Sequence, residues 1–219
     1  VSDSTRRDLL RFGFMKSNIQ IIPEGITIPP LKNLPQHRSK NYRLLIFGAL
    51  RSMKRPDHAI KAFELAKQQI PELTIDVAGA PFGAYGQKLV ERMKTSAYAS
   101  DITYHGRVSV EQKIQLMKNA DFLLVASQKE GWGLIVSEAA SQGTVSIVYN
   151  VDGLRDAVFY GKGGLLSEPN PEALAKKIIE VYQHDQSPLR IYGYQQAKRM
   201  TFDRSYSQFI THLTALTKN

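Results

Sequence analysis

Residues 121–138 have the sequence DFLLVASQKEGWGLIVSE, an apolar run followed by a glycine-containing turn and a second apolar stretch. The first run, residues 121–127, is short and ends in polar residues, as expected of a buried strand. Residues 134 to about 142 favour a helix. A strand that leads through a turn into a helix is the repeating unit of parallel α/β sheets. This stretch therefore indicates the fold class.

The same alternation extends to both sides of this unit. The predicted strands are residues 43–49, 73–79, 102–106, 121–127 and 144–149. Between them, Pro56 begins one predicted helix, Ser109 and Gln112 form a capping box, and Asn170 and Pro171 begin another helix. The pattern predicts a doubly wound α/β fold with a parallel sheet. Ligands of such sheets bind outside the carboxyl ends of the strands.

The two ends of the chain differ from this central unit. We expect a short amphipathic helix over residues 2–12, a strand over residues 19–22, and a proline-rich linker over residues 23–35. Asp203 is predicted to cap a final helix with an apolar stripe. The stripe consists of Tyr206, Phe209, Ile210, Leu213 and Leu216. Such a stripe requires a partner surface.

The composition is that of a globular protein, with 42% apolar and 22% charged residues among 219. No apolar stretch reaches the roughly eighteen residues of a membrane span. The absence of cysteine excludes disulfides, thiolate zinc sites and cysteine nucleophiles. The opening residues from Val1 lack the apolar core of a signal peptide. We expect a cytoplasmic location and a chain that is a fragment of a longer protein.

Positive charge is concentrated in the first part of the chain. The net charge is +9, and residues 1–60 hold eleven Lys and Arg against four Asp and Glu. Such a surface could attract anionic lipid at the inner membrane surface, a phosphorylated ligand or nucleic acid. An ordinary solvated surface is the alternative, because the basic residues are dispersed. No nucleic-acid-binding motif accompanies them, so nucleic acid is the least favoured partner.

The turn at Glu130 has the residue types of a ligand site. Gly131 and Gly133 flank Trp132 and allow a ligand to approach the backbone, while the following helix start offers unpaired N–H groups to a diphosphate. The Glu130 carboxylate can accept hydrogen bonds from two vicinal sugar hydroxyls, and Glu138 can hold a second diol such as a ribose. A helix-dipole role for Glu130 and a solvated position for Glu138 are the alternatives.

Taken together, these residues resemble a known family. Glu, Gly, an aromatic residue, Gly, Leu and a second Glu after seven intervening residues form a signature of the retaining glycosyltransferases of the GT-B fold, in particular family 4, and residues 130–138 match it. Other segments similar to that family are residues 1–10, 78–81, 103–108, 141–145, 153–158 and 163–166.

The resemblance implies a Rossmann-like sheet forming one half of a GT-B fold and binding a nucleoside diphosphate sugar such as a UDP- or GDP-hexose. Glu130 would hold the sugar, Glu138 the ribose, and residues 131–134 the diphosphate. The base would lie near Arg107 and Val108. The implied donor-binding residues are Gly48, Pro81, Arg107, Val108, Gly131, Trp132, Gly133, Leu134 and Glu138.

The family also places a basic pair after its first donor-domain strand, in a Gly-Arg-Leu pattern followed by Lys-Gly. Residues 48–55 are GALRSMKR, so Lys54 matches, whereas the arginine falls on Ala49 and the second glycine on Arg55. A cation that opposes leaving-group charge contributes up to about 3 to 4 kcal/mol to catalysis. Arg51 is a candidate substitute for the arginine. The implied catalytic residues are therefore Glu130, Lys54 and Arg51.

The resemblance further implies a division of the chain. Residues 1–40 would be a remnant of the amino-terminal domain plus a linker, residues 41–202 the donor-binding domain, and residues 203–219 a crossover helix. The acceptor would be bound by a separate amino-terminal domain. No cofactor is implied, and no metal is expected because the chain has no Asp-x-Asp sequence.

Three other polar residues near predicted strand ends are weaker candidates. His105 is expected to be a packed or hydrogen-bonded residue. Tyr85 and Lys88 are candidate phosphate or base contacts, with a surface position as the favoured alternative. The leading hypothesis is a retaining hexosyltransferase. A non-catalytic sugar-nucleotide-binding module is the second, and a basic nucleic-acid-binding or membrane-surface domain is the third.

Overall fold

The computed structural model describes residues 1–35 and 40–217, apart from the side chains of residues 216 and 217. The strands are β1 (Arg43–Phe47), β2 (Thr74–Ala78), β3 (Ile102–Gly106), β4 (Phe122–Val125), β5 (Val145–Tyr149) and β6 (Leu165–Ser167). The helices are α1 (Asp3–Arg11), α2 (Pro56–Lys67), α3 (Gly83–Thr95), α4 (Val110–Asn119), α5 (Leu134–Ser141), α6 (Leu154–Ala157), α7 (Pro171–Val181), α8 (Ser187–Ala197) and α9 (Phe202–Thr217).

The six strands form one parallel sheet in the order β3-β2-β1-β4-β5-β6. The predicted doubly wound α/β fold is confirmed. All five predicted strands are present, some with shortened ends, and β6 is an edge strand that was not predicted. The order reverses between β1 and β4, so the chain leaves these two neighbours in opposite directions and a crevice opens beyond their carboxyl ends.

Helices cover the sheet, which explains its apolar strands. Every residue of β4 and β5 is buried, as expected for a parallel sheet covered on both faces. On its flanks, α2 packs against α7 and α5 packs against α8. The sheet therefore provides a rigid base for the loops at its carboxyl edge.

Capping side chains fix several helix starts where the sequence predicted them. The Ser2 hydroxyl accepts a hydrogen bond from the Thr5 amide at 3.1 Å and begins α1. Ser109 and Gln112 form the predicted capping box at α4. The Asn170 side chain accepts from the Ala173 amide at 2.8 Å at the start of α7. Each cap satisfies amides that the first helical turn leaves unpaired.

Two predictions at the ends of the chain are wrong. Residues 19–22 form no strand, because within the described residues no neighbouring strand lies beside them to complete a ladder. Asp203 does not cap α9. The helix begins at Phe202, and the Thr201 hydroxyl accepts a hydrogen bond from the Arg204 amide at 3.3 Å, so Asp203 lies in the first turn.

The apolar stripe of α9 is solvent-exposed at Tyr206, Phe209, Ile210 and Leu213, and the side chain of Leu216 lies outside the described residues. The proline-rich segment is packed on the domain, since Ile28 is buried and the Leu31 amide donates to the Ser141 carbonyl at 3.0 Å. The predicted domain bounds stay a prediction. Within residues 1–35 and 40–217, no helix has both the length and the apolar character needed to cross a bilayer.

Candidate functional site

The loops that follow β1 and β4 meet at the crevice where the strand order reverses. The Gln128 amide donates to the Met53 carbonyl at 2.9 Å and joins the two loops directly. A cavity of about 30 Å³ lies between them. The residues that line it include Gly48, Ala49 and Lys54 after β1, Ser127 after β4, and Ile135 in α5. The fold thus brings two distant stretches of sequence to one small site.

Glu130 and Lys54 are in direct contact across this crevice. Glu130 Oε1 accepts hydrogen bonds from Lys54 Nζ and from Ser127 Oγ, the latter at 2.7 Å. The Glu130 side chain is only 14% exposed, so its carboxylate is held by these partners rather than by bulk water. The structure therefore brings two of the three predicted catalytic residues together. Ser127 was missed, although it ends the apolar run that predicted β4.

Residues after β5 support the Glu130 backbone. The Glu130 amide donates to the Asp152 carbonyl at 3.1 Å. Gly153 has φ +80°, and a Cβ atom there would lie 2.0 Å from the Glu130 carbonyl oxygen. Any larger residue would displace the Glu130 loop. Gly153 is therefore a structural requirement of the site.

The start of α5 has the geometry of an anion site. Gly133 precedes the helix with φ +91°, a left-handed conformation that favours glycine. The amides of Leu134 and Ile135 lie in the first turn, where a helix leaves N–H groups without intrahelical partners. Together with the helix dipole, these groups favour a bound phosphate or carboxylate.

Trp132 anchors this loop through its side chain. Its Nε1 donates to Ser137 Oγ at 2.9 Å, and its ring packs edge to face against Phe159 with the centroids 5.8 Å apart. Gly131, beside it, is exposed. With the indole N–H already engaged, Trp132 offers a ligand chiefly its backbone.

Glu138 is a buried member of a second polar cluster. Its side chain is 8% exposed, Oε2 lies 2.6 Å from Lys113 Nζ, and Oε1 accepts a hydrogen bond from the Thr27 hydroxyl at 3.1 Å. The alternative of a solvated helix position is wrong, because this side of α5 faces α4 and the segment before β1. Lys113 and Thr27 were missed. The signal for Lys113 was its spacing of three and four residues from the buried Leu116 and Met117.

The loop after β1 departs from the family pattern at Ala49 and Arg55. Ala49 is exposed and contributes no cation. The buried Nε of Arg51 has no hydrogen-bond partner within the described residues. Arg55 adopts φ +46° and ψ +47° at the start of α2, so the position where the family has a glycine keeps a backbone that glycine favours.

The remaining predicted donor residues follow the other strands of the same edge. Pro81, after β2, is exposed and forms an isolated parallel bridge with Leu50. Arg107 and Val108 follow β3, the edge strand. The strands β3 and β4 are separated by three inter-strand spacings of about 4.8 Å each, because β2 and β1 lie between them. The predicted residues are therefore spread along the edge rather than gathered in one pocket.

The weaker candidates have structural partners. His105 Nε2 lies 2.6 Å from Asp76 Oδ1, in agreement with a hydrogen-bonded role. The Tyr85 hydroxyl donates to the Asp57 carboxylate, and burial, with this hydrogen bond, raises the pKa of Tyr85. Lys88 is exposed. Among the described residues, no three His, Cys, Asp or Glu side chains are grouped to share a metal ion.

Nearby carboxylates neutralise several of the cations in the first sixty residues. In the part of the chain that the structure describes, several of these cations lie within 4.0 Å of carboxylates. The ion pairs are Arg6–Asp3, Arg7–Asp152, Arg11–Asp8, Arg43–Asp76 and Lys54–Glu130. The charge is thus available to an external polyanion only in part.

Comparison with known proteins agrees with this geometry. The model of the family described as Glycosyl transferases group 1 matches residues 30–199. A D-inositol 3-phosphate glycosyltransferase of Arthrobacter sp. (strain FB24) is 25% identical over 178 residues, which cover 77% of this chain and 42% of that protein. A poly(glycerol-phosphate) alpha-glucosyltransferase of Bacillus subtilis (strain 168) is 30% identical over 159 residues, or 72% of this chain and 23% of that protein.

Among solved structures, the pneumococcal O-GlcNAc transferase GtfA in complex with UDP and GlcNAc superposes with a TM-score of 0.78 at 23% identity. The superposition covers all of this chain and 45% of that one. This likeness confirms the Rossmann-like fold of a GT-B half. The chain spans less than half the length of both curated relatives, at 42% and 23%.

Proposed function

This chain belongs to the glycosyl transferases group 1 family, and on that premise we propose that it is the carboxyl-terminal, donor-binding half of a retaining family 4 glycosyltransferase. Its substrate would be a nucleoside diphosphate hexose, and the reaction a hexosyl transfer to a hydroxyl acceptor. The observation that carries the proposal is the contact of Glu130 with Lys54 at the crevice where the strand order reverses. A carboxylate for sugar hydroxyls and a cation for phosphate oxygens there face one small site.

The proposed roles follow from the chemistry of each group. The Glu130 carboxylate accepts hydrogen bonds from sugar hydroxyls, and the first-turn amides of α5 hold the diphosphate. As the sugar–phosphate bond breaks, negative charge develops on the leaving diphosphate, and Lys54 Nζ opposes it. Arg51, in the same loop as Lys54, is the proposed source of a second cationic contact. These groups would supply the countercharge without a divalent metal.

The strand order supports an extended nucleotide along the sheet edge. The base would lie near Arg107 and Val108 after β3, the ribose near Glu138, and the sugar at Glu130 beyond β4. Three strand spacings, about 14 Å in all, suit an extended nucleoside diphosphate sugar. One relative is named an alpha-glucosyltransferase. An alpha-linked product is what a retaining enzyme forms from an alpha-linked donor. The structure of GtfA holds UDP and GlcNAc, which favours a uridine nucleotide for this chain as well.

A second function has one observation in its favour. Ala49 is exposed in the loop that should oppose the leaving group, and the family arginine falls on this position. A domain with this change would suit a non-catalytic sugar-nucleotide-binding module. Both functions require a donor pocket, and they differ only in turnover. In either case we propose that a separate Rossmann-like domain binds the acceptor.

Titration calorimetry tests the shared premise. The chain is titrated with UDP, GDP and ADP, and then with hexose conjugates of the nucleotide that binds best. We expect one nucleotide to bind with a dissociation constant below millimolar and its hexose conjugate to bind at least as tightly. No binding of any of these ligands at millimolar concentration would contradict the proposed function.

A further inference from the structure

Lys113 occupies an unusual place for a lysine. It lies in α4 on the side that carries the buried Leu116 and Met117, and its own side chain is only 16% exposed. Its ammonium group is 2.6 Å from Glu138 Oε2 and 5.2 Å from the centroid of the Phe47 ring. Lys113 therefore links α4, α5 and the carboxyl end of β1.

Fold stability alone gives little reason for such a pair. Removing two charges from water has a large cost, and well-packed apolar residues of similar volume are often as stabilising or more so. A leucine or methionine would suit this side of α4. The cation is therefore better explained by what it does to Glu138.

Among the described residues, the side chain of Glu138 has one partner on each of its two oxygens. A carboxylate offers about four lone-pair directions over its two oxygens. The Thr27 hydroxyl donates to Oε1, and the Lys113 ammonium forms an ion pair with Oε2. Each oxygen thus keeps accepting capacity, and two oxygens fixed in one orientation match two adjacent hydroxyl groups.

We propose that Lys113 is a positioning residue that fixes the Glu138 carboxylate for the vicinal 2′ and 3′ hydroxyls of the nucleotide ribose. The inference rests on the proposed function, because it requires a ribonucleotide in the pocket. Lys113 contacts Glu138 and would act on the nucleotide through that carboxylate. Its contribution should therefore appear as ribose selectivity and not as a general loss of nucleotide binding.

The test compares UDP with 2′-deoxy-UDP, and GDP with 2′-deoxy-GDP, by titration calorimetry. The wild-type chain should prefer the ribonucleotide by about tenfold, the effect of one hydrogen bond to a charged group. The variant Lys113→Met should lose most of this preference by binding the ribonucleotide more weakly. Lys113→Arg should restore it, because the guanidinium also donates to a carboxylate.

Two further variants separate positioning from folding. Lys177→Met removes a lysine from the more exposed Lys177–Glu180 pair of α7, at 2.7 Å, and should leave the preference unchanged. Lys113→Met combined with Glu138→Gln removes both charges, so it should fold even if the single variant does not. We expect it to show no preference for the ribonucleotide.

The outcomes are distinguishable. If the wild-type chain binds none of these nucleotides, the proposed function fails and the inference fails with it. If the wild-type chain prefers the ribonucleotide and Lys113→Met retains that preference, or binds UDP more tightly, Lys113 does not position Glu138 and only the inference is overturned. A double variant that still prefers the ribonucleotide would overturn it equally.

Discussion

Glu130 and Lys54, 76 residues apart in sequence, meet as a carboxylate and an ammonium group across the crevice between the loops after β4 and β1. Both loops begin at neighbouring strands of the sheet, and Ser127 and Gly153 hold the Glu130 side chain and backbone in place. The fold itself thus brings the two groups into contact.

Replacement of Glu130 by Gln should weaken binding of a nucleoside diphosphate hexose by about tenfold, because a charged acceptor for sugar hydroxyls is lost. Binding of the nucleoside diphosphate alone should change little, since it lacks the sugar. Calorimetry of both ligands measures the difference. Glu168→Gln, at an exposed position, is the control. Equal weakening of both ligands would show that Glu130 does not hold the sugar.

Replacement of Ala49 by Arg should place an additional cation at the position where the family arginine falls. In a full-length context we expect hexosyl transfer to rise by at least about tenfold, because a cation opposite the leaving group stabilises the transition state. Arg51→Ala should lower transfer, because Arg51 is the proposed second cation. An initial-rate assay measures both variants. Unchanged transfer in Ala49→Arg together with loss in Arg51→Ala would assign the role to Arg51.

Replacement of Gly153 by Ala should destabilise the chain by about 2 kcal/mol more than replacement of Gly161, through overpacking. Both glycines have positive φ, but a Cβ at Gly153 would meet the Glu130 carbonyl, whereas a Cβ at Gly161 meets nothing within 4 Å. The difference therefore isolates the contact beneath Glu130. Urea unfolding of the two variants gives the free energies. Similar losses would mean that backbone conformation alone matters.

Replacement of Arg55 by Gly should stabilise the chain by about 0.5 to 1 kcal/mol, because a left-handed backbone disfavours residues with a Cβ atom. Arg55 has φ +46° at the start of α2. The control is Arg55→Ala, which removes the same charge and keeps the Cβ atom, and it should bring no gain. Thermal unfolding of the three chains is the measurement. If both variants are more stable than the wild-type chain, the stabilisation comes from the loss of the charge and not from the backbone conformation.

Tyr149 should make the chain less stable in alkali. Its hydroxyl is hydrogen-bonded to His58 Nδ1 at 2.9 Å, and burial raises the pKa of Tyr149 above the usual value of about 10. Above pH 10 the unfolded chain releases this proton and the folded chain keeps it, so the free energy of unfolding falls as pH rises. The slope for one such group reaches about 1.4 kcal/mol per pH unit.

Urea unfolding at about pH 9 and about pH 11 measures this effect. The alkaline loss should be smaller in Tyr149→Phe than in the wild-type chain, because phenylalanine has no proton to release. Tyr206→Phe, at a position 67% exposed, should lose as much as the wild-type chain. An equal alkaline loss in all three chains would contradict the role given to Tyr149.

Local sequence determined what could be predicted of the fold. Ser109, Gln112 and Asn170 cap helices through neighbours three residues away, so their pattern is visible in the chain. The strand predicted for residues 19–22 was wrong because a strand needs a neighbour, and apolar character does not supply one. Thr201 rather than Asp203 caps α9, since both types are good caps and only the backbone decides between them.

The candidate site was only partly predictable for a related reason. Residues 130–138 form a continuous motif, and Lys54 was found through the resemblance. Lys113 and Thr27 were missed because their roles depend on contacts between separate elements, such as the pairing of Glu138 with α4. The order of the strands in the sheet brings these elements together. That order depends on packing between distant parts of the chain, which a local sequence pattern does not predict. Ser127 was missed although it lies only three residues from Glu130, because neither its residue type nor its spacing distinguishes it from other loop serines.

The placement of the donor at Glu130 is tested most directly by a nuclear magnetic resonance titration of the ¹⁵N-labelled chain with UDP-hexose or GDP-hexose, whichever binds more tightly. We predict saturable shifts of the amide signals of Gly131, Gly133 and Leu134, which are reduced in Glu130→Gln. Saturable binding that leaves these three amides unshifted would contradict the placement of the donor at Glu130. So would the absence of any shift at millimolar ligand.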